Sequence, residues 1–156
     1  MIIAPKLLRL KNVDYTRRGE TVTIILDGEP RQQTVIFSGN DYWDERYYFT
    51  EEGLRYIQDS RRRRPWQEFV LDHLDKIPSI LKAPDVVGRS IIDPSSHVYG
   101  KEFSRRTSQR TRHLFIAVLK KTNINVVWNL YCAEENHVPH ETEILHVGKS
   151  GQKFLR

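Results

Sequence analysis

Between Pro65 and Leu81 the apolar residues Trp66, Phe69, Val70, Leu74, Ile77 and Leu81 recur at three- and four-residue spacing. Glu68, Asp72, Asp75 and Lys76 fall between them. This period predicts an amphipathic helix with one core-facing stripe. Pro65 suits its first position, where a missing N–H would have had no partner. Pro78 lacks the donor for an i−4 carbonyl and is expected to split the helix, and Ala83-Pro84-Asp85 ends it. A second, shorter helix is expected from a Thr50 cap through Leu54, Tyr56 and Ile57 to Arg61–Arg64, where the macrodipole favours cations.

Elsewhere the period is two. Thr21–Leu26 and Gln33–Phe37 are β-branched runs around Asp27-Gly28, a step that favours positive φ, so a β-hairpin is expected. Val86-Val87 and Ser90–Ile92 read as extended pieces and Asp93–Ser96 as a turn. His97–Phe103 alternates, with His97, Tyr99, Lys101 and Phe103 on one face and Val98, Gly100 and Glu102 on the other. His113–Leu119 is apolar on both faces, like a central strand. After a turn at Lys120–Asn123 comes a second arm, Ile124–Tyr131. There Ile124, Val126, Trp128 and Leu130 are expected to face the core, and Asn125, Val127, Asn129 and Tyr131 away from it. Met1–Arg18 fits a helix or a strand equally. The fold class is α+β: a helix packed on a small antiparallel sheet, preceded by an N-terminal β-hairpin region. The expected organisation is an N-terminal hairpin and aromatic-rich region (1–57), a helix-plus-sheet unit (58–133) and a polar C-terminal tail (134–156).

A chain of 156 residues can bury a core as one domain, or as a domain with an appendage. The single cysteine, Cys132, excludes an internal disulfide framework and fits a reducing compartment. No apolar run approaches a membrane span, and Met1–Leu10 is too interrupted for a signal peptide, so a cytoplasmic protein with no membrane partner is expected. Charge is uneven. From Arg61 to His113 there are 12 Lys and Arg against 6 Asp and Glu, a net of +6 that leaves the rest of the chain at −1. Two clusters, Arg61–Arg64 and Arg105–Arg112 within the apolar-free loop Ser104–Arg112, form the footprint of a phosphate-bearing partner. Arg61, Arg62, Arg63, Arg64, Arg105, Arg106, Arg110 and Arg112 are the candidate nucleic-acid contacts.

Other patterns are weaker. Five aromatics between Tyr42 and Phe49 describe a base-stacking platform or, more readily beside Asp44 and Glu45, a satellite core. His137, His140, Glu141 and His146 have metal-ligand chemistry but no zinc spacing. Gly148-Lys149-Ser150 ends like a phosphate loop, but Glu143 stands where the first glycine belongs and no helix has room to follow. Neither a metal nor a cofactor is expected.

The order Arg63-Arg64-Pro65-Trp66, apolar helix, Ile80-Leu81-x-x-Pro84-Asp85-Val86-Val87, Tyr99/Lys101 strand and polar-faced hairpin resembles a known family. It is similar to the phage-type branch of the barnase–EndoU–colicin–RelE-like nucleases, over about Gln58–Tyr131. The resemblance implies metal-independent RNA cleavage, in which the 2′-OH attacks its own phosphate and a base, an acid and cations are needed. Arg64 stands where the family has histidine, and an arginine cannot act as a base at neutral pH. Proton transfer would then fall to His97, Tyr99 or His113, with Lys101 and Asn129 (and Tyr131, if it shares the face) around the phosphate. His97, Tyr99 and Lys101 lie about 7 Å apart along one strand face. An edge strand with polar residues outward describes the same pattern equally well. His73, at the rim of the apolar stripe, reads as structural. The expected function is an RNA-directed endoribonuclease or a toxin-like relative. The alternatives are a catalytically inactive nucleic-acid-binding module, and a phage or accessory protein whose basic face takes an acidic inhibitor or partner protein.

Overall fold

The computed structural model describes residues 3–90, 95–104, 112–121, 124–134 and 142–148. Its strands are β1 (Thr21–Leu26), β2 (Glu29–Asn40), β3 (Arg46–Thr50), β4 (Val86–Ser90), β5 (Ser96–Ser104), β6 (Arg112–Lys121), β7 (Ile124–Glu134) and β8 (Thr142–Val147). They form one sheet in the order β1-β2-β3-β7-β6-β5-β4-β8. Neighbours are antiparallel except β3 and β7, which run parallel through Tyr47–Asn125 and Tyr48–Val126. Two α-helices, α1 (Glu51–Arg62) and α2 (Ile77–Lys82), and 3-10 segments at Pro5–Leu8 and Pro65–Lys76 complete the described elements. The class is α+β with an N-terminal hairpin, as the sequence leads one to expect. No helix among the described residues is long and apolar enough to cross a membrane.

The main core lies between the helical layer and one sheet face. Leu54 and Ile57 of α1, Val70 and Leu74 of the second 3-10 segment, and Ile77, Ile80 and Leu81 of α2 pack on Phe37, Phe49, Val87, Tyr99, Ile116, Val127 and Leu130. A smaller cluster of Val86, Val98, Tyr131, Ala133 and Ile144 gathers β4, β5, β7 and β8 residues outside that core. The hairpin turn is two residues long, because Leu26 pairs with Glu29, and Asp27 and Gly28 both have positive φ. The Thr50 hydroxyl caps α1 by accepting from the Gly53 N–H.

Four expectations are corrected. The boundaries at 57 and 133 fall inside α1 and β7, and the sheet runs without interruption from the hairpin to β8. Part of the region read as a tail is strand β8, paired antiparallel with β4 from Ser90–Thr142 to Val86–Val147. The central helical stretch is mostly 3-10, broken at His73 (φ −118) rather than at Pro78. Pro78 is instead the second residue of α2, where its missing N–H leaves no gap in the ladder. In β7 the register slips so that Ala117 faces Asn129 and Val118 faces Val127, which leaves Trp128 as the extra residue of a bulge. The bulge reverses the alternation, so Val127 joins the main core and Trp128 stacks on Tyr56 of α1 (5.2 Å, 28°).

Candidate functional site

The Arg61–Gln67 segment is seated on β7. β3 pairs with only Asn125 and Val126, so the C-terminal half of β7 has no strand on that side among the described residues. Its backbone groups there need another partner. Gln67 supplies one: its Nε2 donates to the Cys132 carbonyl (2.8 Å) and its Oε1 accepts from the Cys132 N–H (2.9 Å). Arg61 Nη1 donates to the same Oε1 (3.0 Å), and the guanidinium lies 5.9 Å from the centre of the Tyr131 ring.

Arg61 is only 2% exposed, so it is a structural cation and not the solvent-facing phosphate contact expected of it. Its Nε has no hydrogen-bond partner among the described residues. Desolvation and then repulsion from Arg64 push its pKa down, against smaller opposing effects of Tyr131 and Tyr56. Arg62, Arg63 and Arg64 are exposed, and no ion pair is found for any of them among the described residues.

Trp66 is 70% exposed, which overturns its place on the apolar stripe. In a 3-10 helix residues three apart eclipse, and Gln67, Val70 and His73 form an inward row. Trp66 starts a second row, of which Phe69 packs against the main core while Trp66 and Asp72 are exposed. The Tyr56–Trp128 stack and the Arg61–Tyr131 pair lie along the same margin of β7, and the exposed Arg62–Arg64 and Trp66 belong to the segment between Arg61 and Gln67 that is seated there.

Of the second arginine cluster only Arg112 has a described position, at the same end of the sheet. Arg112 is in register with Glu134, two residues beyond Cys132, and with Ser104 of β5. Arg105, Arg106 and Arg110 lie outside the described residues, and of Arg112 only the strand position is described.

The expected catalytic face is not a solvent face. Tyr99 is 1% exposed, and its hydroxyl donates to Asp41 Oδ2 (2.7 Å). Burial, reinforced by the Asp41 hydrogen bond, pushes the phenol pKa far up, so it stays protonated. Asp41, itself buried, also accepts from the Trp43 and Glu45 N–H groups through Oδ1. This carboxylate therefore ties the β2–β3 loop over β5. Lys101 donates to the Ala83 carbonyl, and His97, half-buried, stands opposite Val118. Asn129 belongs to the row of Val98 and Ala117 on the opposite sheet face, and its Oδ1 accepts from the Leu130 N–H. His113 occupies the row of Glu102 and Ala133; only its strand position is described. The five catalytic candidates are thus not brought to one accessible surface. His73 sits at the break of the 3-10 segment against the Phe69 ring, and desolvation, then Lys76, lowers its pKa.

Of the remaining ligand-type residues, His146 lies over Tyr42 (4.4 Å), Cys132 is buried, and His137, His140 and Glu141 are outside the described residues. No metal-binding cluster occurs among the described residues. Sequence periodicity missed both Trp66 and Gln67. The threefold row Gln67–Val70–His73 was the available signal for Gln67; the threefold row of Trp66 also holds the core-packed Phe69 and gives none for Trp66. No protein family, curated protein or solved structure matches the chain.

Proposed function

We propose that this protein binds single-stranded nucleic acid, with RNA as its natural polymer, along the β7 margin that carries Arg62, Arg63, Arg64 and Trp66. The observation that carries the reading is Trp66, an indole 70% exposed in the same segment as three exposed arginines that have no carboxylate partner among the described residues. An aromatic face in a cationic groove takes an unstacked base while the cations take the backbone. A duplex keeps its bases stacked and offers no such face. The clasp of Gln67 on Cys132 and the burial of Arg61 fix the platform before any ligand arrives, which lowers the ordering cost of binding. The choice of RNA rests on the resemblance to the RNA-cleaving nucleases.

Binding without cleavage fits the side chains better than an endoribonuclease does. Tyr99 is committed to Asp41 in the interior and Asn129 lies on the other sheet face, which leaves no described cluster of base, acid and phosphate-holding cation.

Salt titration with a single-stranded oligoribonucleotide, followed by tryptophan fluorescence, tests the reading. Quenching is expected, with an affinity that falls linearly in log[salt] with a slope of about −2 or steeper for three phosphate contacts. Equal affinity for a duplex, or binding insensitive to salt, would defeat it. Binding of polyglutamate in place of RNA, independent of Trp66, would assign the face to an acidic protein partner.

A further inference from the structure

Away from the arginine margin, the Leu10–Asp14 segment, the facing ends of β2 and β3, helix α2 and Lys101 enclose a cavity of about 790 Å³. Its walls are fixed. The Tyr15 hydroxyl donates to the Leu7 carbonyl and accepts from the Leu10 N–H, and Asp14 and Ser38 exchange both backbone hydrogen bonds. Tyr47, on the cavity wall, is in register with Asn125, at the opposite end of β7 from Cys132.

The lining carries Lys11, Arg46, Lys82 and Lys101 against Asp14 and Asp75. Both carboxylates are already matched: Asp14 lies 3.3 Å from Arg46 and accepts from Thr16, and Asp75 lies 3.9 Å from Lys6 outside the cavity. Lys11, Lys82 and Lys101 have no carboxylate partner among the described residues. Lys101 gives one of its donors to the Ala83 carbonyl and keeps the others. Three lysines therefore line one cavity with no carboxylate partner among the described residues.

The floor adds a neutral donor. Tyr47 is 3% exposed, yet no hydrogen bond to its hydroxyl is found among the described residues. Burial, then Asp41, pushes its pKa upward, so the hydroxyl keeps its proton. Gly39, its cross-strand partner, makes room for this ring: a Cβ there would stand 2.7 Å from the hydroxyl oxygen. Leu10, Val13 and Pro78 give the rest of the lining an apolar character.

We infer that this cavity is a binding site for a small phosphorylated organic molecule, independent of the nucleic-acid margin. A phosphate monoester carries close to two negative charges at neutral pH and takes lysines as point-charge partners. The volume falls within the range of small-molecule sites, and the apolar lining suits the organic part.

Calorimetric titration with adenosine monophosphate and glycerol phosphate, with adenosine and glycerol as uncharged counterparts, tests this. At least one phosphorylated probe is expected to bind saturably while its counterpart does not. Lys11→Ser and Lys82→Ser, both at exposed positions, should each weaken that binding about tenfold. Arg31→Ser, on the exposed hairpin arm, should leave it unchanged. Tyr47→Phe, which removes only the floor donor, should also weaken it. No saturable binding of either phosphorylated probe would overturn the inference. So would adenosine binding as tightly as its monophosphate, or an affinity unmoved by the two lysine substitutions. Base stacking at the arginine margin is separated by Trp66→Ala, which should leave the lysine-dependent binding unchanged.

Discussion

The Gln67 side chain completes the β7 ladder at Cys132, giving one donor and one acceptor to the N–H and C=O of a single residue. An amide side chain thus stands in for the neighbouring strand that β3 is too short to provide. Gln67→Ala leaves both part-buried groups without their partner and also removes the acceptor of Arg61. A loss of about 1–3 kcal/mol is expected in urea unfolding. Gln67→Glu keeps the acceptor for the Cys132 N–H but loses the donor to its carbonyl, so it should not restore full stability. Wild-type stability in Gln67→Ala would mean that water replaces the clasp.

At the RNA face, charge and ring are separable by what they change. Replacing Arg62, Arg63 and Arg64 with Ser should flatten the salt slope by about 2 as well as weaken binding. Trp66→Ala should reduce the binding free energy by about 1–3 kcal/mol while leaving the slope as it was. Arg61 belongs in neither variant, since it is buried against Tyr131 and its loss would be read as unfolding. Equal slopes for the triple variant and the wild type would place the phosphate contacts elsewhere.

Features set by neighbours in sequence were legible in it. The Asp27-Gly28 turn, the Thr50 cap and the two-sided apolar strand Arg112–Lys121 follow from local chemistry alone. What failed depends on distant partners. Thr142–Val147 is a strand because the edge of β4 is there to receive it. His97, Tyr99 and Lys101 read as an outward polar face, but the β2–β3 loop brings Asp41 over Tyr99 from 58 positions away. Val98 on the other side is packed too, so alternation along β5 could not tell inside from outside. The same limit applies to Trp66: its apolar character suggested burial, and neither helical period tells it apart from Phe69, three residues on, which packs on the core.

Close packing of α1 on the β7 bulge gives a test in which two effects oppose. A Cβ on Gly53 would lie 2.5 Å from the Val127 carbonyl oxygen, a backbone atom that no rotamer change can move. Alanine in place of an interior helical glycine gains up to ~1 kcal/mol of propensity. Overpacking against fixed backbone costs about 1–3 kcal/mol, so Gly53→Ala should be destabilising on balance in thermal unfolding. A stabilised variant would mean that α1 sits farther from the bulge.

Alkaline pH should unfold the protein through its buried phenols. Burial pushes Tyr131 up to about 12, against the opposing charge of Arg61, and raises Tyr47 and Tyr99 further. In the unfolded chain these hydroxyls lose their protons near the ordinary value of 10. Above that pH the native state holds more protons than the unfolded state, so stability falls as pH rises. The contribution is therefore complete below about pH 10 and is lost as pH climbs through 12 and beyond. Phenolate absorbance and circular dichroism, followed together, should show these tyrosines ionising only as secondary structure is lost. Tyr131→Phe removes one of the titrations and should make the decline shallower. Complete ionisation of all seven tyrosines near pH 10 with the native circular dichroism intact would show that the three rings are not buried as described.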